Sequence, residues 1–262
     1  MDKSLEVFPI VESSLEQKVF YTRETVKNTF LPLVEDILHD FEQKGLGAYC
    51  VGIAGPPGCG KSSISSVLQK IFLEKGIILQ VLPLDGFHLS SQGLKSRRIV
   101  YKGRSIPLYW IKGAKETYDT RKLLRFMNKL KTQQEFYWPV YSRQIHDPVE
   151  KGIAIHKNNR LFIVEGNYLF LDEPPWSLLS CFFEKGILIT SKKRILKKRI
   201  IKRKTRGGYS KREARSHYRF CDRRNIREVL EHSAGYNYLI QHSGNYSYRL
   251  TRVPGRSSRE QV

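Results

Sequence analysis

Residues 55–62 read Gly-Pro-Pro-Gly-Cys-Gly-Lys-Ser. Two glycines that enclose four residues, followed by Lys and then Ser or Thr, have the spacing of a phosphate-binding loop. Gly55, Gly58 and Gly60 let the backbone turn tightly and aim its N–H groups inward. Lys61 has the reach to meet the outer phosphates of a nucleotide, and the Ser62 hydroxyl is a ligand type for Mg²⁺. Such a loop works only between a strand and a helix, so its flanks decide whether the match means anything. Tyr-Cys-Val-Gly-Ile-Ala (49–54) before it suits a buried parallel strand. After it, Ile64, Val67, Leu68, Ile71 and Phe72 fall at helical spacing over 62–74. The expected phosphate contacts are therefore Gly55, Pro56, Pro57, Gly58, Cys59, Gly60, Lys61, Ser62 and Ser63.

The same alternation continues along the chain. Apolar runs at 77–84, 161–164, 186–190 and 236–241 read as strands. Helical patterns cover 117–130, where Asp119 or Thr117 serves as cap, then 191–204 and 210–219. Short strand-like pieces stand near 137–141 and 152–156, and residues 85–116 form a long region of little periodicity. Residues 11–45 read as one N-terminal helix, broken or kinked at Pro32. The expected fold is α/β: a P-loop NTPase-type parallel sheet flanked by helices, with an Arg-rich helical lid and an N-terminal helical extension. The expected division is 1–47 for that extension, 48–250 for the kinase-type domain with its lid at about 191–224, and 251–262 for a frayed tail.

Charge is large and uneven. The 262 residues carry a formal +21. Residues 1–50 hold five basic and nine acidic side chains, whereas 191–224 hold sixteen basic and two acidic ones. A field of that sign attracts nucleotides, sugar phosphates, nucleic acid or anionic membrane surfaces, and charge alone does not choose among them. Asp2, Glu6, Glu12 and Glu16 argue against a signal peptide, and no apolar run is long enough to span a bilayer. Four scattered cysteines fit reduced thiols and a cytoplasmic setting. A guanine-specific switch would carry Asn-Lys-x-Asp after a strand; Asn128-Lys129-Leu130-Lys131 lacks the Asp.

In parallel sheets of this kind ligands bind at the carboxyl ends of the strands. Asp85 follows the strand 77–84 and is placed to accept a proton from a hydroxyl that attacks a γ-phosphate; Asp-Gly is equally a common turn. Glu165 closes the strand 161–164, where a carboxylate holds Mg²⁺ directly or through water. Arg206 stands beside Gly207-Gly208, a hinge in an Arg-rich segment, and reads as the lid arginine that neutralises charge in transfer. Lys112, and the aromatic and polar run containing Tyr141, Arg143 and His146, make walls for a small polar substrate.

The stretches GPPGCGKSS (55–63), PLDGFHL (83–89), KGAKETYD (112–119), YWPVYSRQIHDPV (137–149), VEGNYLFLDEPPW (164–176) and the RGGYS…CDRRN region (206–225) occur in the order seen in a known kinase group. Together they span about two-thirds of the chain. The sequence resembles the kinases that include uridine kinase, phosphoribulokinase and bacterial-type pantothenate kinase. It is most similar to nucleoside/nucleotide kinase family proteins labelled candidate fructose-transport-system kinases. The resemblance implies ATP-dependent phosphorylation of a hydroxyl on a small metabolite (a sugar, a nucleoside or a pantothenate-like compound), with Mg²⁺ as cofactor. It implies Asp85 as base with Lys61 and Arg206 as catalytic partners, Ser62 and Glu165 at the metal, and Lys112, Tyr141, Arg143 and His146 as substrate contacts. Related kinases often form homodimers. The family more often has Asn-Asp-x-Pro-Asn where this chain has Cys221-Asp222-Arg223-Arg224-Asn225, which separates Asn225 from the family's adenine-side role. A nucleotide-dependent regulatory switch and a nucleic-acid-associated NTPase are the alternative readings; no recognisable nucleic-acid module is present.

Overall fold

The computed structural model describes residues 4–12 and 15–254, with side chains described outside 10–12 and 15–17. The chain opens with an antiparallel hairpin, β1 (Leu5–Glu12) and β2 (Leu15–Thr22), in which Phe8 pairs with Val19 and Leu5 with Thr22. This corrects the single helix expected over 11–45. Helix begins only at α1 (Arg23–Thr25), capped by Thr22, passes through a π turn (Val26–Phe30) and continues as α2 (Leu31–Lys44). The hairpin forms because its ring-bearing residues have a wall to pack on: Tyr21 sits edge-on to Phe30, 4.9 Å between centroids, and also meets Phe8 and Tyr248. Pro32 follows directly on the π turn, so the interruption expected at Pro32 takes the form of a π turn inside a continuing helix.

β3 (Tyr49–Ala54) leads through the glycine-rich loop into α3 (Lys61–Glu74). β4 (Leu79–Pro83) ends in a 3-10 turn (Leu84–Phe87). The aperiodic stretch then resolves into α4 (Ser91–Ser96) and a small hairpin, β5 (Arg98–Tyr101) and β6 (Arg104–Pro107). α5 (Thr120–Lys131) is capped by Asp119, which accepts from the Lys122 N–H at 2.9 Å. β7 (Phe136–Ser142) and β8 (Asp147–Ile155) form a second antiparallel hairpin. After β9 (Leu161–Gly166) and β10 (Lys185–Thr190) come α6 (Lys193–Arg206), α7 (Lys211–His217), a π turn (Tyr218–Asp222) and α8 (Arg223–His232). β11 (Tyr238–Gly244) and β12 (Ser247–Arg252) close the described chain.

Six strands make one sheet in the order β12-β11-β10-β3-β9-β4. Five run parallel, and β12 lies antiparallel at the edge beside β11. β12 extends order into the expected frayed tail; the remainder, 255–262, lies outside the described residues. Alternation along the central strands feeds two cores. Tyr49, Val51, Ile53, Leu161 and Ile163 face the α3 side, while Cys50, Ala54, Phe162 and Val164 face the α5 side. A strand buried on both faces must be apolar at every position, which is how β3 and β9 read. With β3 and β9 adjacent and β4 next to β9, the loops after these three strands open at one end of the sheet. Among the described residues, no helix is long and apolar enough to cross a membrane.

Candidate active site

The loop between β3 and α3 has the geometry its glycines predict. Gly58 and Gly60 adopt φ of 82° and 105°, the left-handed region that a side chain resists. At Gly55 a Cβ would stand 2.5 Å from the Ile189 carbonyl oxygen and 2.7 Å from Cys59 Sγ. Gly60 caps α3 and has no side chain to turn back on the first-turn N–H groups, which leaves them to an anion. Lys61, 9% exposed, donates through Nζ to the Gly55 carbonyl at 3.0 Å and to Asn167 Oδ1 at 2.8 Å. The Ser62 hydroxyl donates to Glu165 Oε1 at 2.8 Å, so a hydroxyl and a carboxylate oxygen stand together beside the loop. These are hard oxygen donors of the kind Mg²⁺ takes, with substrate phosphates and water completing an octahedron. The loop and this pair therefore fit a nucleotide phosphate chain and its metal. Among the described residues, no group of three or more His, Cys, Asp or Glu side chains forms a dedicated metal cage.

Asp85 sits in the 3-10 turn after β4, and its side chain is 58% exposed. Tyr118 donates its hydroxyl to Asp85 Oδ1 at 3.1 Å and stacks on His88 with centroids 3.8 Å apart. Burial holds the His88 imidazole below its ordinary pKa, against the opposing pull of Asp85. A neutral His88 can donate from Nδ1 to the Thr117 carbonyl at 3.3 Å, which leaves Nε2 as the ring nitrogen 4.0 Å from Asp85 Oδ1. Burial also pushes the Lys112 ammonium below its usual pKa. Lys112 donates to Ser91 Oγ at 3.1 Å and to the His146 carbonyl at 2.7 Å, and lies over the Tyr141 ring.

A cleft of about 460 Å³ joins these parts. Pro57 of the loop, Asp85, and Asn167 (the acceptor of Lys61) all line it, so the phosphate loop and the strand-end carboxylate share one opening. Lys112, Tyr141 and His146 line it as well. Arg143 is exposed and stands outside this lining. β7 ends at Ser142, and His146 follows in the intervening turn with a φ of 55°. His146 contributes its backbone carbonyl to Lys112 and Ser91.

The end of α6 borders the same cleft. α6 runs to Arg206, and the chain bends only at Gly207 and Gly208. Arg206 is exposed and outside the cleft lining, whereas Arg203, Lys204, Gly207 and Tyr209 belong to it. A second arginine of α6 has an unforeseen place. Arg199 donates to the carbonyls of Gly58 and Cys59 at 3.3 and 3.4 Å, to the Tyr248 hydroxyl at 3.4 Å, and approaches His242 Nε2 at 3.0 Å. Asn225 is buried and donates to the Gly113 carbonyl at 3.1 Å, on the Asp85 side of the cleft. Tyr118, His88 and Asn167 also went unpredicted. The signal available for them was position, since each lies within a stretch that carries a predicted residue.

A glycine loop that opens a helix, a strand-end carboxylate on its serine, and a second carboxylate across a shared cleft define a P-loop nucleotide-binding protein of the phosphotransferase kind. A protein-family profile described as AAA domain matches residues 51–218. The chain belongs to this family, and proteins named as a candidate uridine kinase and as pantothenate kinases are among its relatives. It is 31% identical over 241 residues to the uncharacterized protein YggC of Escherichia coli, covering 91% of this chain and 97% of that one. A candidate uridine kinase of Schizosaccharomyces pombe, C227.14, is 39% identical over 132 residues, which is 48% of this chain and 54% of that protein. The solved structure of a candidate fructose transport system kinase from Silicibacter sp. TM1040 superposes with a TM-score of 0.73 at 26% identity, covering 82% of this chain and 99% of the other.

Proposed function

We propose that the protein transfers the γ-phosphoryl group of ATP, with Mg²⁺, to a hydroxyl of a small polar metabolite. The observation that carries the reading is the shared cleft: Asp85 and the loop's Pro57 and Asn167 line the same 460 Å³ opening. Bound along the loop, ATP supplies the phosphoryl group and Mg²⁺ neutralises part of its charge. The first-turn N–H groups of α3 and Lys61 would hold the phosphate oxygens, and Ser62 with Glu165 would hold the metal. Tyr118 occupies Oδ1 of Asp85 and leaves Oδ2 to take the proton of the attacking hydroxyl. Arg203 and Lys204 enter from the lid and screen charge that spreads over the transferring group. Lys112 and Tyr141 on the opposite wall favour an acceptor that carries a carboxylate or phosphate beside its hydroxyl. The four thiols are unpaired and three of them are buried, in keeping with a reducing cytoplasm.

The test is ADP release from ATP and Mg²⁺ across a panel of hydroxy acids, sugars, sugar phosphates and nucleosides. One acceptor class should stimulate release well above the background hydrolysis. With that acceptor, Asp85→Asn keeps the volume and the Tyr118 contact but removes the basic oxygen, so kcat should fall by about 10²–10⁴ while ATP still binds. Turnover by Asp85→Asn within tenfold of the wild type would remove Asp85 from the chemistry.

A further inference from the structure

A second concavity exceeds the cleft above in volume. It measures about 710 Å³ and opens on the other side of the segment that joins α7 to α8. Asp222 and Asn225 line the catalytic cleft, whereas Arg223, Arg224, Ile226 and Arg227 of the same segment line this second cavity. The β5–β6 hairpin forms its opposite wall, tied to the helix by the Tyr101 hydroxyl, which donates to the Phe220 carbonyl at 2.5 Å.

Its charge is one-sided. Six cations surround it: Lys102, Lys193, Arg219, Arg223, Arg224 and Arg227. Against them stand Glu116 in the wall and Glu231 at the rim, the latter 3.6 Å from Lys193 and 3.8 Å from Arg227. Glu116 is ion-paired with Arg224, whose guanidinium also lies over the Tyr101 ring at 5.3 Å. Arg219, Arg223 and Arg227 recur every four residues and are exposed, so they form a row along one edge. Ile99, Tyr101, Tyr218 and Ile226 supply an apolar and aromatic floor.

We propose that this cavity binds a small molecule carrying two or more phosphate groups on a flat or apolar body. Several phosphates are needed because a monoanion would leave most of the six cations repelling one another. Arginine's planar fork suits phosphate oxygens two at a time, and the tyrosine rings suit a flat body. The volume is that of a small-molecule site. Its one lining carboxylate, Glu116, is committed to Arg224, so the site binds without transferring a group.

The test titrates the full chain with inorganic tripolyphosphate by calorimetry, at two salt concentrations. The variants are Arg219→Ala/Arg223→Ala/Arg227→Ala and, as a control for bulk charge, Lys151→Ala/Lys157→Ala. All five side chains are exposed, so both variants should fold. The wild type and the control should bind two equivalents, one at the loop 55–62 and one here, and the arginine variant one. Should the loop not take phosphate, the counts become one, one and none, and the cavity assignment stands. Equal counts and affinities in the wild type and the arginine variant would overturn it. So would an equal loss in the control. Displacement of tripolyphosphate by a 20-nucleotide RNA at lower concentration would overturn it too, and would make the arginine row a nucleic-acid face.

Discussion

Gly86 separates two backbone segments that have no room for a methyl group. A Cβ there would lie 2.0 Å from the Pro139 carbonyl oxygen, 2.3 Å from its carbon and 2.7 Å from the Val140 nitrogen. Ordinary contact begins near 3.4 Å, so Gly86→Ala requires a relative movement of more than about 1 Å. The neighbour is backbone and has no rotamer to change. β7 is also held in place, since Trp138 is fully buried and its Nε1 donates to the Pro83 carbonyl at 2.9 Å. Overpacking of this kind costs about 1–3 kcal/mol, which lowers the unfolding midpoint of a chain this size by about 3–10 °C. Thermal unfolding followed by circular dichroism measures it. Gly244→Ala is the control, because nothing lies within 4 Å of the added methyl; it should shift stability by no more than about 0.5 kcal/mol. A Gly86→Ala midpoint within about 1 °C of the wild type would refute the reasoning. So would an equal fall in Gly244→Ala.

Two further outcomes follow from the site. Arg199→Met should weaken ATP binding by about tenfold, because it removes charge-assisted bonds to the Gly58 and Cys59 carbonyls, whereas Arg206→Ala should change it by no more than about twofold. Nucleotide titration separates the two, and the opposite ranking would return the lid role to Arg206. Burial lowers the pKa of both His88 and His242, and the Arg199 charge lowers His242 further. The unfolded chain then binds more protons than the folded one below the ordinary histidine pKa of about 6.5. Stability from the neutral rings is therefore complete above that pH and is lost as pH falls below it. Unfolding midpoints from pH 7.5 to 5 should decline less steeply in His88→Gln/His242→Gln, and an unchanged slope would show that neither ring contributes.

The sheet was legible because strands buried on both faces leave no choice of residue. β3 and residues 161–164 of β9 are apolar throughout, and the chain turns glycine-rich after the first and acidic at Glu165 after the second. Segments with one wet face were harder to read. Phe20, Val26 and Phe30 fit helical spacing, yet β2 takes its shape from pairing with β1, a partner that local periodicity does not reveal. β12 went unread for a related reason: it is an edge strand with Tyr248 as its one buried side chain, so no strand is read there and its end, 251–252, falls in the expected tail. The basic residues of α6 were legible as a set but not one by one. Whether Arg199, Arg203 or Arg206 meets the cleft depends on where α6 ends, and the glycine pair marks that end only to within a turn.

At Asp85-Gly86 two readings competed: a catalytic carboxylate and an ordinary turn. In the structure the two readings are compatible. The 3-10 turn carries Asp85 off the end of β4, and Gly86 lets β7 close against that turn at backbone distance. Trp138 anchors the same closure from the other side through the Pro83 carbonyl. The turn is therefore the means by which the carboxylate is held, and a residue larger than glycine at position 86 should disturb stability and the placement of Asp85 together. A Gly86→Ala variant that lost stability but kept full turnover would separate the two, and would show that the cleft positions Asp85 through Tyr118 alone.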